Sequence, residues 1–307
     1  MQAQGLGFAM AHEFLQAGDS IVLCGRNPER LAAALQHLQQ HSALRPGQVQ
    51  GLQCDVSDAA DVLRLTTFVE RRWAGWAAAA CIRWINNAGQ VTRRLLLPEL
   101  SPADIQAVVG ANVLGSLLCC RAAVQLMRQQ HKRNQQQQQQ QGAQYHIFNC
   151  GFSRWGASLS KSACTHKATK MALTQLNISL AEELAEAGLS YIGVHNLSPG
   201  MVLTDLLLRD ANPVARRFFN TLAEEPETVA AAIVPQIRGV KGTGSSIDYL
   251  NPASALARVL GGLPQIIYGG RFFDKEGNRV AGLRITGRRR RPLAAAASAA
   301  AARWQHQ

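Results

Sequence analysis

His166 and Lys170 are the residues of this sequence whose types and spacing most directly suggest proton chemistry. They lie four residues apart in a run that continues into helical sequence, so the imidazole and the ammonium share one helix face about one turn apart. The apolar run from Tyr145 to Cys150 precedes them and predicts a buried strand that leads into a serine-bearing loop. Such an arrangement can transfer a proton. On Thr165 to Lys170 alone, an amphipathic helix with solvated basic side chains is the favoured alternative.

Glycines near the beginning of the chain indicate a phosphate-binding helix. Gly5 and Gly7 open directly into a helical pattern that Gly18 ends. Glycines there allow close backbone approach to a phosphate, and the helix N-terminus favours its charge. The next strand leads to Arg26, at a position where an acidic residue suits a ribose 2′-hydroxyl and an arginine suits a 2′-phosphate. The pattern favours NADP over NAD, and an ordinary surface arginine is the alternative.

The elements that must position these residues alternate between strands and helices, which predicts an α/β fold with a doubly wound parallel sheet, a Rossmann fold. We predict strands at residues 20–24, 49–54, 81–85, 145–150, 188–195 and 265–268. We predict helices at 8–17, 29–41, 58–76, 102–132, 165–187, 226–238 and 251–260, and a lid-like segment at 205–221. Ligands of such sheets bind at the carboxyl ends of the strands. Asp55, Asn87, Ala88 and Gly89 all fall there.

Asn112 lies in an apolar part of the long predicted helix. A buried asparagine needs hydrogen-bond partners, so Asn112 is a candidate for organising a polar site. Hydrogen bonding to nearby backbone is the favoured alternative.

The amino-acid composition limits which classes of protein the chain can belong to. The chain has 307 residues, 47% of them hydrophobic, which predicts a globular protein with a sizeable core, and we expect no apolar run long enough to span a bilayer. Its seven cysteines lack metal-ligand spacing, so we expect no metal, and their odd number disfavours a disulfide framework. The net charge of +12 is concentrated in a basic tail, which argues against nucleic acid as the main partner and equally suits an anionic membrane surface.

We therefore expect one domain over residues 1–277, with a polyglutamine insertion at 135–141, and a disordered, basic, alanine-rich tail over 278–307.

Several motifs agree in order and spacing with the short-chain dehydrogenase/reductase family, which the chain resembles over roughly residues 4–275. They are Gly5-Leu-Gly7, Cys54-Asp-Val56, Asn86-Asn-Ala-Gly89, Asn112, Ser153, Lys170 and Ser198-Pro-Gly200. Within that family the downstream segments resemble the chlorophyll b reductases. These are residues 195–208, 226–230, 234–235, 239–244, 249–252 and 270–274.

The resemblance implies NADPH-dependent reduction of the C7 formyl group of chlorophyll b or chlorophyllide b to a hydroxymethyl group. It implies that Lys170 binds the nicotinamide ribose and supports the acid electrostatically. It also implies that Ser153 polarises the substrate and that Asn112 holds a proton-relay water. The residues that it implies for cofactor contact are Gly5, Gly7, Arg26, Asp55, Asn87, Ala88, Gly89, Lys170 and Thr204. It also implies a chloroplast protein at the thylakoid surface or in the stroma, with light-harvesting complexes, another copy or a paralogue as partners.

The sequence departs from the family pattern in two respects. His166 stands where the family has its tyrosine acid, and the loop Gly151 to Gly156 is bulkier than expected. The first strand and the first fingerprint glycine of the family should precede Gly5, so we expect a truncated chain in which the first strand is largely missing. The same truncation would explain why the sequence shows no transit peptide. Two alternatives to a reductase of chlorophyll b stay open. One is a catalytically silent subunit that binds pigment or an active paralogue, and the other is a different carbonyl reductase.

Overall fold

A computed structural model of the chain describes residues 5–41, 44–45, 47–73, 81–135, 144–153, 155–156, 162–208 and 211–280. The predicted insertion beyond Gln135 and the predicted tail beyond Val280 lie outside the described residues. Residues 278–280 are held by backbone hydrogen bonds to Phe272 and Asp274.

Helices and strands alternate through most of the chain. The strands are β1 Ile21–Gly25, β2 Val49–Gln53, β3 Arg83–Asn86, β4 Tyr145–Cys150, β5 Ile192–Ser198, β6 Met201–Val202, β7 Ala223–Glu224 and β8 Ser246–Asp248. The helices are α1 Leu6–Gln16, α2 Pro28–His41, α3 Ala59–Trp73, α4 Pro102–Val109, α5 Gly115–Asn134, α6 Cys164–Glu186, α7 Asp205–Leu208, α8 Pro213–Leu222, α9 Pro226–Gly239, α10 Pro252–Gly261 and α11 Leu263–Tyr268.

All strand pairs in the sheets are parallel, as predicted. Strands β3, β4, β5 and β8 form a four-stranded sheet in that order, and β1 pairs with β2 in a separate ribbon. Successive residues of β4 face opposite layers: Ile147 packs in a core with α3 and α5, while Phe148 packs in a core with α1 and α9. Helices therefore cover both faces, and the prediction of a doubly wound α/β fold is confirmed.

A gap of about 510 Å³ separates β1 from β3. Residues 21–24 of β1 and 83–86 of β3 border it, Phe14 of α1 lies on one side, and Cys119 of α5 lies on the other. Among the described residues no strand lies between β1 and β3.

Local sequence explains where several helices begin and end. Ser101, Asn212 and Asn251 each accept a hydrogen bond from the backbone N–H three residues ahead, at the start of α4, α8 and α10. These side chains satisfy donors that a helix N-terminus leaves free. Gly18 and Gly188 follow α1 and α6 with positive φ angles of 86° and 71°, which only glycine adopts without strain.

Three sequence predictions about elements were wrong. Residues 265–268 form part of α11 rather than a strand, because Pro264 and the turn at Gly262 begin a short helix. The strand predicted from residue 188 begins at Ile192, because Gly188 still belongs to the end of α6. The single long helix predicted over 102–132 contains a π-helical turn at Gly110–Leu114 between α4 and α5.

The expectation that no segment could span a bilayer was also wrong on length and composition. The helical stretch Pro102–Asn134 has 33 residues and is apolar enough to cross a membrane. Half of its most apolar window is buried inside the protein, and α5 contacts α3 and β4, as a core helix of a globular domain does.

Candidate active site

Lys170 is buried on α6 beside the carboxyl end of β4. Its Nζ donates a 2.6 Å hydrogen bond to the carbonyl oxygen of Cys150, the last residue of that strand. The segment from Tyr145 to Cys150 is the buried strand that the sequence predicts, and α6 confirms the predicted helix. A buried ammonium with one carbonyl acceptor keeps further donors for a ligand hydroxyl, which suits the ribose-binding role that was predicted.

His166 lies one turn before Lys170 on the same helix, and its ring meets the Phe152 ring edge-on at 5.5 Å between centroids. Burial, and then the positive charge of Lys170, lower the pKa of His166 to about 4. The imidazole is therefore neutral at physiological pH. Its Nδ1 is buried and has no hydrogen-bond partner among the described residues.

Asn112 is fully buried in the π-helical turn and joins two elements of the site. Its Oδ1 accepts from the backbone N–H of Gln90 at 2.7 Å, and its Nδ2 donates to the carbonyl of Gln90 at 3.0 Å and to Oγ1 of Thr169 at 2.9 Å. A Cβ added at Gly89 would lie 3.2 Å from Nζ of Lys170 and 3.3 Å from Oδ1 of Asn112. The segment after β3 therefore lies directly against α6.

Ser153 is buried in the loop after β4. Its backbone N–H donates to Oγ of Ser198 at the end of β5, and its own Oγ accepts from the N–H of Gly156. The hydroxyl of Ser153 still has its own hydrogen to donate, which is what polarising a carbonyl oxygen requires.

Asp55 and Arg26 lie at the carboxyl ends of β2 and β1. Burial raises the pKa of Asp55, but hydrogen bonds from the hydroxyl and N–H of Ser57, together with the charge of Arg26, outweigh it and leave this pKa below its ordinary value. With the Gln90 amide turned so that its oxygen faces the guanidinium, Gln90 accepts from Nη1 and Nη2 of Arg26 at 2.6 and 2.9 Å.

The beginning of α1 fits an anionic group. Gly5 has a φ of 121° and precedes the helix, and no side chain among the described residues caps the first N–H groups of α1. A Cβ on Gly7 would lie 2.8 Å from Nδ2 of Asn87, and Gly7, Asn87 and Ala88 all border the gap between β1 and β3. An uncapped helix start, small residues and Arg26 together suit the phosphates of a dinucleotide.

Thr204 lies apart from the contacts described so far. Its Oγ1 accepts from the N–H of Leu207 and donates to the carbonyl of Val202, so it caps the short helix α7. Among the described residues no group of three or more His, Cys, Asp or Glu could hold a metal ion.

Sequence reasoning missed a buried chain of amides next to the site. Nδ2 of Asn86 donates to Oδ1 of Asn149 at 2.8 Å, and Nδ2 of Asn149 donates to Oδ1 of Asn177 at 2.7 Å. Trp84 donates its indole N–H to Oδ1 of Asn86 at 2.8 Å. The available signal was three asparagines inside apolar runs. These bonds tie β3, β4 and α6 together beneath Lys170.

A family model described as "short chain dehydrogenase" matches residues 2–212 of the chain. The chain belongs to the short-chain dehydrogenase family. Among curated proteins, a probable chloroplastic chlorophyll(ide) b reductase from Oryza sativa subsp. japonica is 36% identical over 290 residues, which cover 90% of this chain and 53% of that one.

A second short-chain dehydrogenase relative extends the same similarity. A chloroplastic chlorophyll(ide) b reductase from Arabidopsis thaliana is 36% identical over 244 residues, which cover 79% of this chain and 65% of that one. The chain spans about half the length of the two probable chlorophyll(ide) b reductases from rice and Arabidopsis that it matches.

Solved structures support the short-chain dehydrogenase fold. A 3-ketoacyl-(acyl-carrier-protein) reductase from Brucella melitensis complexed with NADH aligns with a TM-score of 0.61 at 22% identity, covering 80% of this chain and 93% of that one. A serine dehydrogenase complexed with NADP⁺ aligns with a TM-score of 0.58 at 23% identity, covering 78% and 86%. At these identities the alignments bear on the fold alone.

Proposed function

We propose that the chain is an NADPH-dependent reductase of the C7 formyl group of chlorophyll b or chlorophyllide b. The observation that carries this proposal is the similarity to chlorophyll(ide) b reductases, which extends beyond residues 2–212 that the general family model matches. The buried cluster around Lys170 and the uncapped start of α1 supply the groups that such a reduction requires.

Each candidate residue has a separate task in this proposal. A bound nicotinamide cofactor supplies the hydride. Arg26 and the start of α1 hold its phosphates, and Lys170 holds its ribose with the Nζ donors that Cys150 leaves free. Ser153 donates a hydrogen bond to the formyl oxygen as negative charge develops on it. Asn112 keeps the segment after β3 against α6, so that these donors stay in place.

His166 is assigned to the substrate oxygen, in the place where the family has its proton-donating tyrosine. Because its ring is neutral, it donates from an uncharged N–H, which is a far weaker acid than an imidazolium. The neutral ring therefore stabilises the developing alkoxide by a hydrogen bond, together with the cation of Lys170, and the proton that completes the hydroxymethyl group comes from water. We therefore propose slow turnover relative to an enzyme with a tyrosine at this position.

A second candidate function follows from the same residue. The lowered pKa of His166, which leaves its ring neutral and a weak acid, also suits a chain that binds pigment or an active paralogue without turnover. In either case we propose a chloroplast location at the thylakoid surface or in the stroma. Light-harvesting complexes, a second copy or a paralogue are proposed as partners.

The test is reduction by the purified chain. Chlorophyllide b or chlorophyll b in detergent is incubated with NADPH, and the 7-hydroxymethyl product is separated by chromatography. We expect product with the wild-type chain and a loss of at least about 100-fold with Lys170→Met, which keeps the length of the side chain and removes its charge and donors. Lys167→Met, on the same helix, is the matched control and should retain activity.

Absence of product from the wild-type chain, together with retained binding of NADPH, would favour the silent subunit. Equal product from the wild-type chain and Lys170→Met would contradict the proposed site.

A further inference from the structure

Helices α8, α10 and α11 contact one another and present apolar side chains to solvent. Leu256 and Leu260 of α10 are each 60% exposed, Ile267 and Tyr268 of α11 are 60% and 74% exposed, and Phe218 of α8 is 45% exposed. Isolated exposed apolar residues are ordinary, but a set on three adjoining helices marks an interaction surface. We call the exposed residues of these helices the apolar face.

Apart from the hydroxyl of Tyr268, the apolar face carries no polar side-chain group. On α10 the exposed positions are Pro252, Ala253, Leu256, Ala257, Leu260 and Gly261, and on α11 they are Leu263, Pro264, Ile267 and Tyr268. The three helices contain no Asp or Glu. Their arginines, Arg216, Arg217 and Arg258, are only partly exposed, and Arg258 pairs with Glu224. The apolar face itself therefore carries no carboxylate.

The loop after the candidate site continues the apolar face. Every residue from Arg93 to Pro98 is exposed, in the order Arg-Arg-Leu-Leu-Leu-Pro. Arg93, Arg94 and Leu95 share a cleft of about 400 Å³ with Asn212, the residue that caps α8. Glu99 follows the loop, and its carboxylate accepts from the N–H of Leu96. Two exposed arginines thus lie beside the apolar face at the end where α8 begins.

We propose that the apolar face and the loop from Arg93 to Pro98 dock the protein onto an anionic lipid surface. Short helices with apolar exposed sides insert into the boundary between head groups and acyl chains, and tyrosine favours that depth. Arginines beside them attract anionic head groups. A protein partner is disfavoured because specific protein interfaces include about one hydrogen bond per 100–200 Å², and Tyr268 is the one exposed residue on α10 and α11 with a polar side-chain group.

The apolar face and the loop from Arg93 to Pro98 lie on the side of the protein that holds the candidate site. The loop from Arg93 follows the segment Asn87 to Gly89, which lies against Lys170 at the carboxyl ends of the strands. Docking would bring the side of the protein that holds the candidate site to the lipid surface, where an apolar substrate resides. Lipid binding itself does not depend on the proposed reductase activity, so the two proposals fail separately.

The experiment is sedimentation of the full chain with vesicles in the absence of substrate and cofactor. Vesicles of phosphatidylcholine with phosphatidylglycerol are compared with vesicles of phosphatidylcholine alone, at low and high salt. We expect binding to the phosphatidylglycerol vesicles that salt weakens. Ile267→Glu and Leu260→Glu should weaken it at least about tenfold each, because a charge replaces an inserted apolar side chain. Arg94→Glu should weaken it at least about fivefold.

Leu63→Glu is the matched control, because Leu63 on α3 is 66% exposed and lies outside the apolar face. Circular dichroism of each variant establishes that it is folded. No vesicle binding by the wild-type chain, or equal loss with Leu63→Glu, overturns the proposal. If Ile267→Glu instead converts a dimer to a monomer in solution without changing vesicle binding, the face is an interface between two copies and the proposal is wrong.

Discussion

At the scale of single residues, the neutral His166 decides how the candidate site works. Its pKa of about 4 results from burial and from Lys170, both of which disfavour the imidazolium. A histidine at this position therefore differs from a tyrosine in two ways. It reaches less far toward a substrate, and its neutral ring is a weaker acid than a phenol.

Replacing His166 with tyrosine should increase reductase activity. General acid catalysis typically contributes 10²–10⁴-fold, so we expect kcat/KM of His166→Tyr to rise by at least about tenfold even if the surrounding pocket accommodates a phenol imperfectly. Steady-state kinetics with chlorophyllide b and NADPH measure the change. His12→Tyr, at a partly exposed position on α1, should leave kcat/KM unchanged. A fall in activity for His166→Tyr would show that the imidazole is itself required.

Arg26→Glu should weaken binding of NADPH while leaving NADH almost unaffected. The guanidinium lies near Asp55 at the end of β1, where it would neutralise a 2′-phosphate. Losing that interaction and adding a negative charge should raise the Kd for NADPH at least about tenfold, equivalent to about 1.4 kcal/mol. Fluorescence titration with each cofactor gives both constants, and Arg121→Glu on the exposed side of α5 is the control. Equal weakening of NADH binding would contradict a role at the 2′-phosphate.

How far the sequence predicts this site depends on the range of each contact. The His166–Lys170 pair follows from helical spacing alone, since both residues lie on α6. The contact of Asn112 with Gln90 joins residues 22 positions apart and depends on a π-helical turn, which no local pattern signals. The partners of Asn112 therefore could not be predicted from the sequence.

At the scale of elements, the amide chain from Asn86 through Asn149 to Asn177 connects two strands and a helix. Residues Asn86 and Asn149 are register partners in the β3–β4 pair, and that register cannot be read from either strand separately. In contrast, the strand pattern around Tyr145 to Cys150 is fully buried and was predictable from its apolar run.

Asn149→Leu should destabilise the protein substantially. It removes the acceptor for Asn86 and the donor for Asn177, and leaves buried polar groups without those partners at a cost of about 1–3 kcal/mol each. We expect the free energy of unfolding to fall by roughly 2–4 kcal/mol in urea denaturation. Gln125→Leu, at an exposed position of α5, should change it by less than about 0.5 kcal/mol. A similar change for both variants would mean that the amide chain contributes little.

At the scale of the whole molecule, two more buried histidines lie in the four-stranded sheet. His195 accepts from the N–H of Ser245 at Nδ1, so its Nε2 carries the proton and donates to Nδ1 of His146 at 3.0 Å. Burial lowers the pKa of both rings to about 4, with Arg83 adding to the effect at His146 and His146 adding to it at His195. Neither ring can gain a proton without breaking this bond or charging the core.

Acid should therefore destabilise the fold before carboxylates titrate. Between about pH 6.5 and pH 4 the unfolded chain binds protons at His146, His166 and His195 that the folded chain does not bind, so stability is present above pH 6.5 and is lost as the pH falls toward 4. The free energy of unfolding, measured by thermal denaturation, should decrease by an amount on the order of a few kcal/mol across this pH range. His146→Leu/His195→Leu should flatten this dependence, and Gln125→Leu, which removes no titratable group, should not. An unchanged melting temperature over the range would contradict it.

The gap between β1 and β3 has a consequence for how the molecule opens. The N–H of Ile21 points toward β2, so by the alternation of a strand the N–H groups of Val22 and Cys24 point into the gap. Among the described residues no ladder of hydrogen bonds joins the two sheets. They are connected by α1 packed against α9, by the core in which Val22 and Leu52 pack with α3 and α5, and by the Asp19–Arg238 ion pair. The β1–β2 ribbon can therefore detach as a cooperative unit of its own, and its amides should exchange with deuterium well before those of β4, which is paired on both sides.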